Sequence, residues 1–216
     1  MAISHLHRYV YIGIPRTSSK SMSRWLVDHC EGESFGYHHQ LTVPEDAQDY
    51  LIFTVVRNPY DRQISGEFAL GWGNIKADES LREEGEIEPG DETLADRISE
   101  VTQRKDATVR GGGNVPDSVM NQWFYCKAAK VSRIIFFERL PYCLRELPFV
   151  DTEGERPEYP HVLERGIRPP GSFFDHFNGD DEKVVWAYES ESFEKFGYER
   201  FKEGLPAQSR DSLVIN

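Results

Sequence analysis

Cysteine is scarce in this sequence, with Cys30, Cys126 and Cys143 the only three among 216 residues. An odd number at wide spacing argues against a disulfide framework and against a zinc site, and leaves three buried thiols as the expectation. Long apolar runs are also missing. The strongest, Tyr50–Val56, is far short of the roughly 20 residues that a bilayer span needs, so no integral membrane segment is expected. The opening residues Met1–Arg8 lack the basic-then-apolar layout of a signal peptide, and the expected location is cytoplasmic. Positive charge is in deficit: 25 Lys and Arg stand against 37 Asp and Glu, a formal net charge of −12. Binding along a nucleic-acid backbone needs a basic surface, so nucleic acid is not an expected partner. An anionic ligand remains compatible if cations are concentrated locally. No internal repeat is visible, which argues against solenoids and propellers.

What is present is the balance of a soluble globular chain, with 38 % hydrophobic, 12 % aromatic and 29 % charged residues. Arg8–Gly13 (R-Y-V-Y-I-G) reads as a buried strand ended by Pro15. Ser18 or Ser19 caps a helix over Lys20–Cys30, with Met22, Trp25 and Leu26 on one face. Tyr50–Val56 is apolar throughout, as a central parallel strand requires, and Pro59 suits the first turn of a helix reaching Leu70. A Gly-bearing acidic stretch at 71–117 reads as a surface insertion, with one helix near Glu92–Arg104. Pro116–Lys130 is predicted helical, Val131–Phe137 is a third strand, and Leu140–Leu147 is a short helix. Pro148–Gly179 is loop-like, and Asp181–Phe196 is a closing helix. Such alternation predicts a single α/β domain over residues 1–216, three-layered, with a central parallel sheet flanked by helices.

Two segments carry the chemistry. Gly13-Ile-Pro-Arg-Thr-Ser-Ser-Lys-Ser21 links a strand to a helix. Its small residues let backbone N–H groups turn toward an anion, while the helix N-terminus, Arg16 and Lys20 supply positive charge. Lys20-Ser21 imitates the end of the nucleotide-binding G-x-x-x-x-G-K-[ST] loop. However, Ser19 and Ile14 stand where its glycines belong, and no apolar strand ends in a magnesium-binding Asp. An ATP-dependent phosphotransferase is therefore the weaker reading. The second segment, Val56-Arg-Asn-Pro-Tyr-Asp-Arg-Gln-Ile-Ser65, follows the central strand. It puts Arg57 at a carboxyl strand end, where open α/β sheets bind ligands. Ser65 lies under two turns along the following helix, so Arg57 and Ser65 are candidates to close on one phosphate. Asp61 and Arg62 are expected to brace the turn.

Together the two segments resemble the sulfotransferase superfamily, and more particularly its carbohydrate, Golgi-type branch. There the first turn reads close to P-K-T-G-G-T-S, and a later segment reads R-N-P-Y-D-R-x-x-S. Arg57–Ser65 matches the second at every defining position, and Pro15–Ser21 matches the first loosely. Ile135-Phe-Phe-Glu-Arg-Leu140 is similar to the family's F-E-N-L strand end. Val185–Tyr198 is similar to its closing Y-x-x-D-F-x-x-F-G-Y helix. The resemblance skips 71–117.

The resemblance implies a P-loop NTPase-like fold and transfer of a sulfuryl group from 3′-phosphoadenosine 5′-phosphosulfate, leaving adenosine 3′,5′-bisphosphate. The acceptor is a hydroxyl or amine on a glycan or small molecule, and no metal is needed. Arg16 would contact the bridging oxygen and sulfuryl group. The amides and hydroxyls of Thr17, Ser18, Ser19, Lys20 and Ser21 would hold the 5′-phosphate, and Arg57 and Ser65 the 3′-phosphate. Tyr37-His-His-Gln falls where related enzymes carry a catalytic histidine, which makes His39 the favoured base. His38, Glu67 and Glu138 are alternatives, and Glu138 also suits an anchoring role. The sequence departs from the family at Arg16 (for Lys), at Ser18 and Ser19 (for Gly) and at Lys20 (for Thr). The serines are tolerable there only if their backbones are unstrained. Trp123–Tyr125 are expected to pack in the core rather than stack on adenine. The 71–117 insertion and the loop around His161–Ser172 are expected to frame the acceptor pocket. A non-catalytic nucleotide-binding module on the same scaffold is a further alternative.

Overall fold

The stretches Tyr9–Ile12, Leu51–Val56 and Arg133–Phe136 are short and rich in β-branched and aromatic residues, and each forms a strand. The computed structural model describes residues 1–36, 41–70, 121–150, 158–160, 179–200 and 213–214. Its strands are β1 (Ala2–Ser4), β2 (Tyr9–Ile12), β3 (Glu33–Ser34), β4 (Leu51–Val56), β5 (Arg133–Phe136) and β6 (Leu213–Val214). They form one six-stranded sheet in the order β3-β1-β2-β4-β5-β6. The three strands expected from the sequence make its parallel centre. Tyr9 stands opposite Leu51 and Ile12 opposite Thr54, while Phe53 stands opposite Arg133 and Val56 opposite Phe136.

The sheet is mixed, not parallel throughout. β1 and β3 run antiparallel on one side, and β6 runs antiparallel on the other. A parallel partner needs a crossover of a dozen or more residues. His5–Arg8 is too short for one, so β1 and β2 form a hairpin, with Arg8 at φ 54 in its turn.

Alternation along the strands sets the layers. Tyr9, Tyr11, Phe53, Val55 and Ile135 share one face and pack with Met22, Trp25 and Leu26 of helix α1 (Ser19–His29). Cys143, Leu144 and Leu147 complete this cluster. Val10, Ile12, Ile52, Val56, Ile134 and Phe136 point to the opposite face and are equally buried. A sheet buried on both sides reads as apolar runs, which is why its centre was visible in the sequence. Each such side chain contributes about 1.5–3 kcal/mol on burial. The Tyr9 hydroxyl donates to the Cys30 carbonyl at 2.9 Å, pinning the end of α1 to the sheet.

Two expected helices differ in detail. Leu140–Leu147 is a 3₁₀ turn at Tyr142–Glu146, preceded by another at Phe137–Arg139. Pro141 lies between them and has no N–H to continue a helix. Of the helix predicted over Pro116–Lys130, the described helical part is Gln122–Ala128.

The chain divides into two compact units. Residues 1–58, 122–164 and 206–216 form the first, and 59–121 with 165–205 form the second. The described helices of the second unit are α2 (Pro59–Leu70), α4 (Gly179–Tyr188) and α5 (Ser190–Phe196); Gln122–Ala128, in the first, is α3. The closing helix expected over Asp181–Phe196 is thus two helices, with Glu189 between them at φ −97 and ψ 14. Gly197, at φ 65, ends α5 in the left-handed conformation usual for a glycine cap.

Within this unit Arg62 and Glu189 form an ion pair at 2.8 Å, with only 1 % and 2 % of their side chains exposed. Glu182 accepts from the Tyr60 hydroxyl at 2.5 Å and from both Nε and Nη2 of Arg200, at 3.0 and 2.8 Å. The insertion at 71–117, its helix near Glu92–Arg104 and the 161–172 loop lie outside the described residues. Among the described residues no helix is long and apolar enough to cross a membrane.

Candidate functional site

β2 runs out at Ile12, and Gly13–Ser18 carries the chain into α1. Two residues of this turn are left-handed without being glycine: Arg16 at φ 65, and Ser18 at φ 68 and ψ 25. For a residue with a Cβ this costs on the order of 1–2 kcal/mol each. Ser18 stands where the family pattern has glycine, so the condition set by the sequence, an unstrained serine, is not met there. Ser19 is the first residue of α1.

Ser18 occupies the N-cap position, as expected, but makes no side-chain cap bond. Its hydroxyl shares a 3.0 Å hydrogen bond with the Tyr159 hydroxyl, and its carbonyl accepts from the Met22 N–H at 2.9 Å. Thr17 is fully buried, and its hydroxyl donates to the Ile14 carbonyl at 2.9 Å. Thr17 can therefore meet an anion only through its main-chain N–H. Ser19 and Ser21 are buried, while Lys20 is exposed.

The electrostatics of the turn are one-sided. The first turn of α1 holds no acidic residue, although Asp and Glu are usual there because they offset the helix dipole. The helix's acidic residue is Asp28, near its far end, and it is paired with Arg24 at 3.0 Å. Arg16 and Lys20 thus add to the positive end of α1 with no carboxylate from its first turn to offset them.

The second segment meets the first through Arg57. Its guanidinium donates from Nη1 to the Arg16 carbonyl at 3.2 Å and lies 4.1 Å over the Phe137 ring. Its backbone is clamped by a residue that sequence reading passed over. The fully buried side chain of Gln122 accepts from the Arg57 N–H at 2.8 Å and donates to the Arg57 carbonyl at 2.7 Å. This is the pattern of a neighbouring strand, supplied by one side-chain amide. The next N–H, of Asn58, donates to the Glu138 carboxylate at 2.6 Å, a charge-assisted bond. Glu138 thus anchors the turn after β4.

The structure therefore brings Arg16, Thr17, Ser18 and Arg57 together in the first unit. Ser65 belongs to the second unit, where it is half-buried on α2. Arg62 is paired with Glu189 within the second unit. His38 and His39 lie outside the described residues, and so does the side chain of Glu67. Of the three aromatics at 123–125, Tyr125 is buried and Trp123 and Phe124 are half-buried. Tyr159 had no sequence signal, because its role depends on a contact 141 positions away. Among the described residues no group of three or more His, Cys, Asp or Glu is placed to hold a metal ion.

Comparison with known proteins finds no matching family model, no matching curated protein and no matching solved structure.

Proposed function

We propose that the chain is a sulfotransferase of P-loop NTPase-like fold that uses 3′-phosphoadenosine 5′-phosphosulfate. The observation that carries this reading is the contact of Arg57 with the Arg16 carbonyl. It joins the two segments that resemble the family's two phosphate-binding motifs. The donor set suits a polyanionic nucleotide: an acid-free helix start, a turn with left-handed Arg16 and Ser18, and the cations Arg16, Lys20 and Arg57.

In this reading the amides of Thr17 to Ser21 hold the 5′-phosphate, with Ser19 and Ser21 able to add hydroxyls. Arg16 and Lys20 stabilise charge on the sulfuryl group and on the oxygen it leaves. Arg57 binds the 3′-phosphate. The bound nucleotide supplies an activated sulfuryl group whose leaving group is already a phosphate, so the protein's part is to align the acceptor and stabilise charge. His39 takes the proton from the acceptor hydroxyl or amine, which belongs to a glycan or a small molecule.

The test is transfer of ³⁵S from labelled 3′-phosphoadenosine 5′-phosphosulfate, without added metal, to a panel of glycans, phenols and amines. Labelled product together with adenosine 3′,5′-bisphosphate supports the reading. Transfer of ³²P from ATP with magnesium, and no ³⁵S transfer, makes the chain a phosphotransferase. Nucleotide binding without turnover on any acceptor makes it a binding module.

A further inference from the structure

A serine held at φ 68 needs something to keep it there, because the left-handed conformation is uphill for any residue with a Cβ. The described contacts of Ser18 supply one candidate. Its hydroxyl bonds the Tyr159 hydroxyl at 3.0 Å, across 141 positions of sequence and within one compact unit. Tyr159 is itself fixed, since its ring packs against the core cluster around Tyr9, Tyr11, Trp25 and Phe53. Tyr11 belongs to that cluster, and its hydroxyl is buried with no hydrogen-bond partner among the described residues. The Tyr159 hydroxyl is thus engaged by the turn and not by the phenol in the core.

The geometry makes this bond a latch on the backbone. The direction of Ser18 Cβ follows from its φ, so a return to negative φ would swing the hydroxyl away from Tyr159. The same rotation would displace the Ser18 carbonyl from the Met22 N–H and re-aim the amides that follow. We propose that Tyr159 is a positioning residue for the anion-binding turn, holding Ser18 in the left-handed conformation that glycine would adopt unaided. In this chain a tyrosine–serine pair replaces the conformational freedom of the family's glycine.

The proposal rests on the nucleotide-binding reading for its effect on affinity, but not for the latch itself. Two measurements keep these apart: amide hydrogen exchange of residues 17–21 in the ligand-free protein, and metal-free titration with adenosine 3′,5′-bisphosphate. Both are made on wild type, Tyr159→Phe, Ser18→Ala, Ser18→Gly and Ser18→Gly/Tyr159→Phe. Tyr159→Phe keeps the ring in the core and removes only the hydroxyl. One hydrogen bond is worth about a three- to tenfold effect. Exchange is expected to quicken and affinity to weaken by that factor in Tyr159→Phe, and likewise in Ser18→Ala. In the Ser18→Gly background, where the backbone needs no latch, Tyr159→Phe should change neither. Equal effects of Tyr159→Phe in both backgrounds would overturn the proposal, because Tyr159 would then act through packing alone. Unchanged exchange in Tyr159→Phe would also overturn it. If the exchange pattern appears but the wild type binds no nucleotide, the latch stands and the functional reading falls.

Discussion

The guanidinium of Arg57 donates to the main-chain carbonyl of Arg16 at 3.2 Å, so the cation that follows β4 touches the turn that follows β2. Parallel neighbours make this possible. β2 and β4 pair in register, so their carboxyl ends lie side by side and the residues beyond them converge. The Gln122 amide and the Glu138 carboxylate then fix the main chain at Arg57 and Asn58. Arg57 reaches Arg16 from a fixed base.

The buried Arg62–Glu189 pair has a different role. Removing one partner takes from the other, a buried charge, its ion-pair contact. Glu189→Ala or Arg62→Ala is therefore expected to destabilise the protein by about 3–5 kcal/mol. Replacing both with apolar residues of similar volume, as in Arg62→Met/Glu189→Leu, should cost far less than either single change. Urea unfolding of the four proteins tests this. Single and double variants of equal stability would show that the pair is not a coupled unit.

Glu182 predicts an acid sensitivity. Hydrogen bonds from Arg200 hold its carboxyl below the usual carboxylate range, against the opposing effect of burial, with help from Tyr60. A carboxyl whose folded pKa is depressed adds stability that is present above its unfolded pKa, about 4.3, and lost as pH falls through the folded value. The stability advantage of wild type over Glu182→Gln should therefore be full at pH 6–7 and shrink below about pH 4.5. A difference that stays constant from pH 7 to pH 3 in chemical denaturation would contradict this.

The three thiols should be inert in the native protein. Burial pushes Cys30 and Cys143 up to about 12 and raises Cys126 further, so almost no thiolate is present at neutral pH. Iodoacetamide at pH 8 is expected to leave all three unmodified in the folded chain and to label all three in denaturant, read by intact mass. Rapid labelling of any one under native conditions would show that it is not buried.

The parallel centre of the sheet was legible because strands buried on both faces read as uninterrupted apolar runs, as Leu51–Val56 does. Helix α1 was legible from the spacing of Met22, Trp25 and Leu26. The edges were not. β1 and β3 are three and two residues long, too short for any periodicity to show. The candidate site divides in the same way. Arg16 and Arg57 stood out because each is a cation just past a strand. Gln122 and Tyr159 did not, because a side chain that clamps a distant backbone or latches a distant hydroxyl leaves no local pattern. Ser18 could be flagged as a departure from glycine, but only the backbone angle shows that it keeps glycine's conformation.

Calorimetric titration with adenosine 3′,5′-bisphosphate tests whether the turn after β2 and Arg57 form one nucleotide site. Wild type and Arg57→Ala are compared without metal, with thermal unfolding confirming that the variant is folded. Micromolar-range binding by wild type, about −8 kcal/mol, is expected, with a loss of at least tenfold in the variant. No binding by wild type, with ATP–magnesium bound in its place, would contradict this.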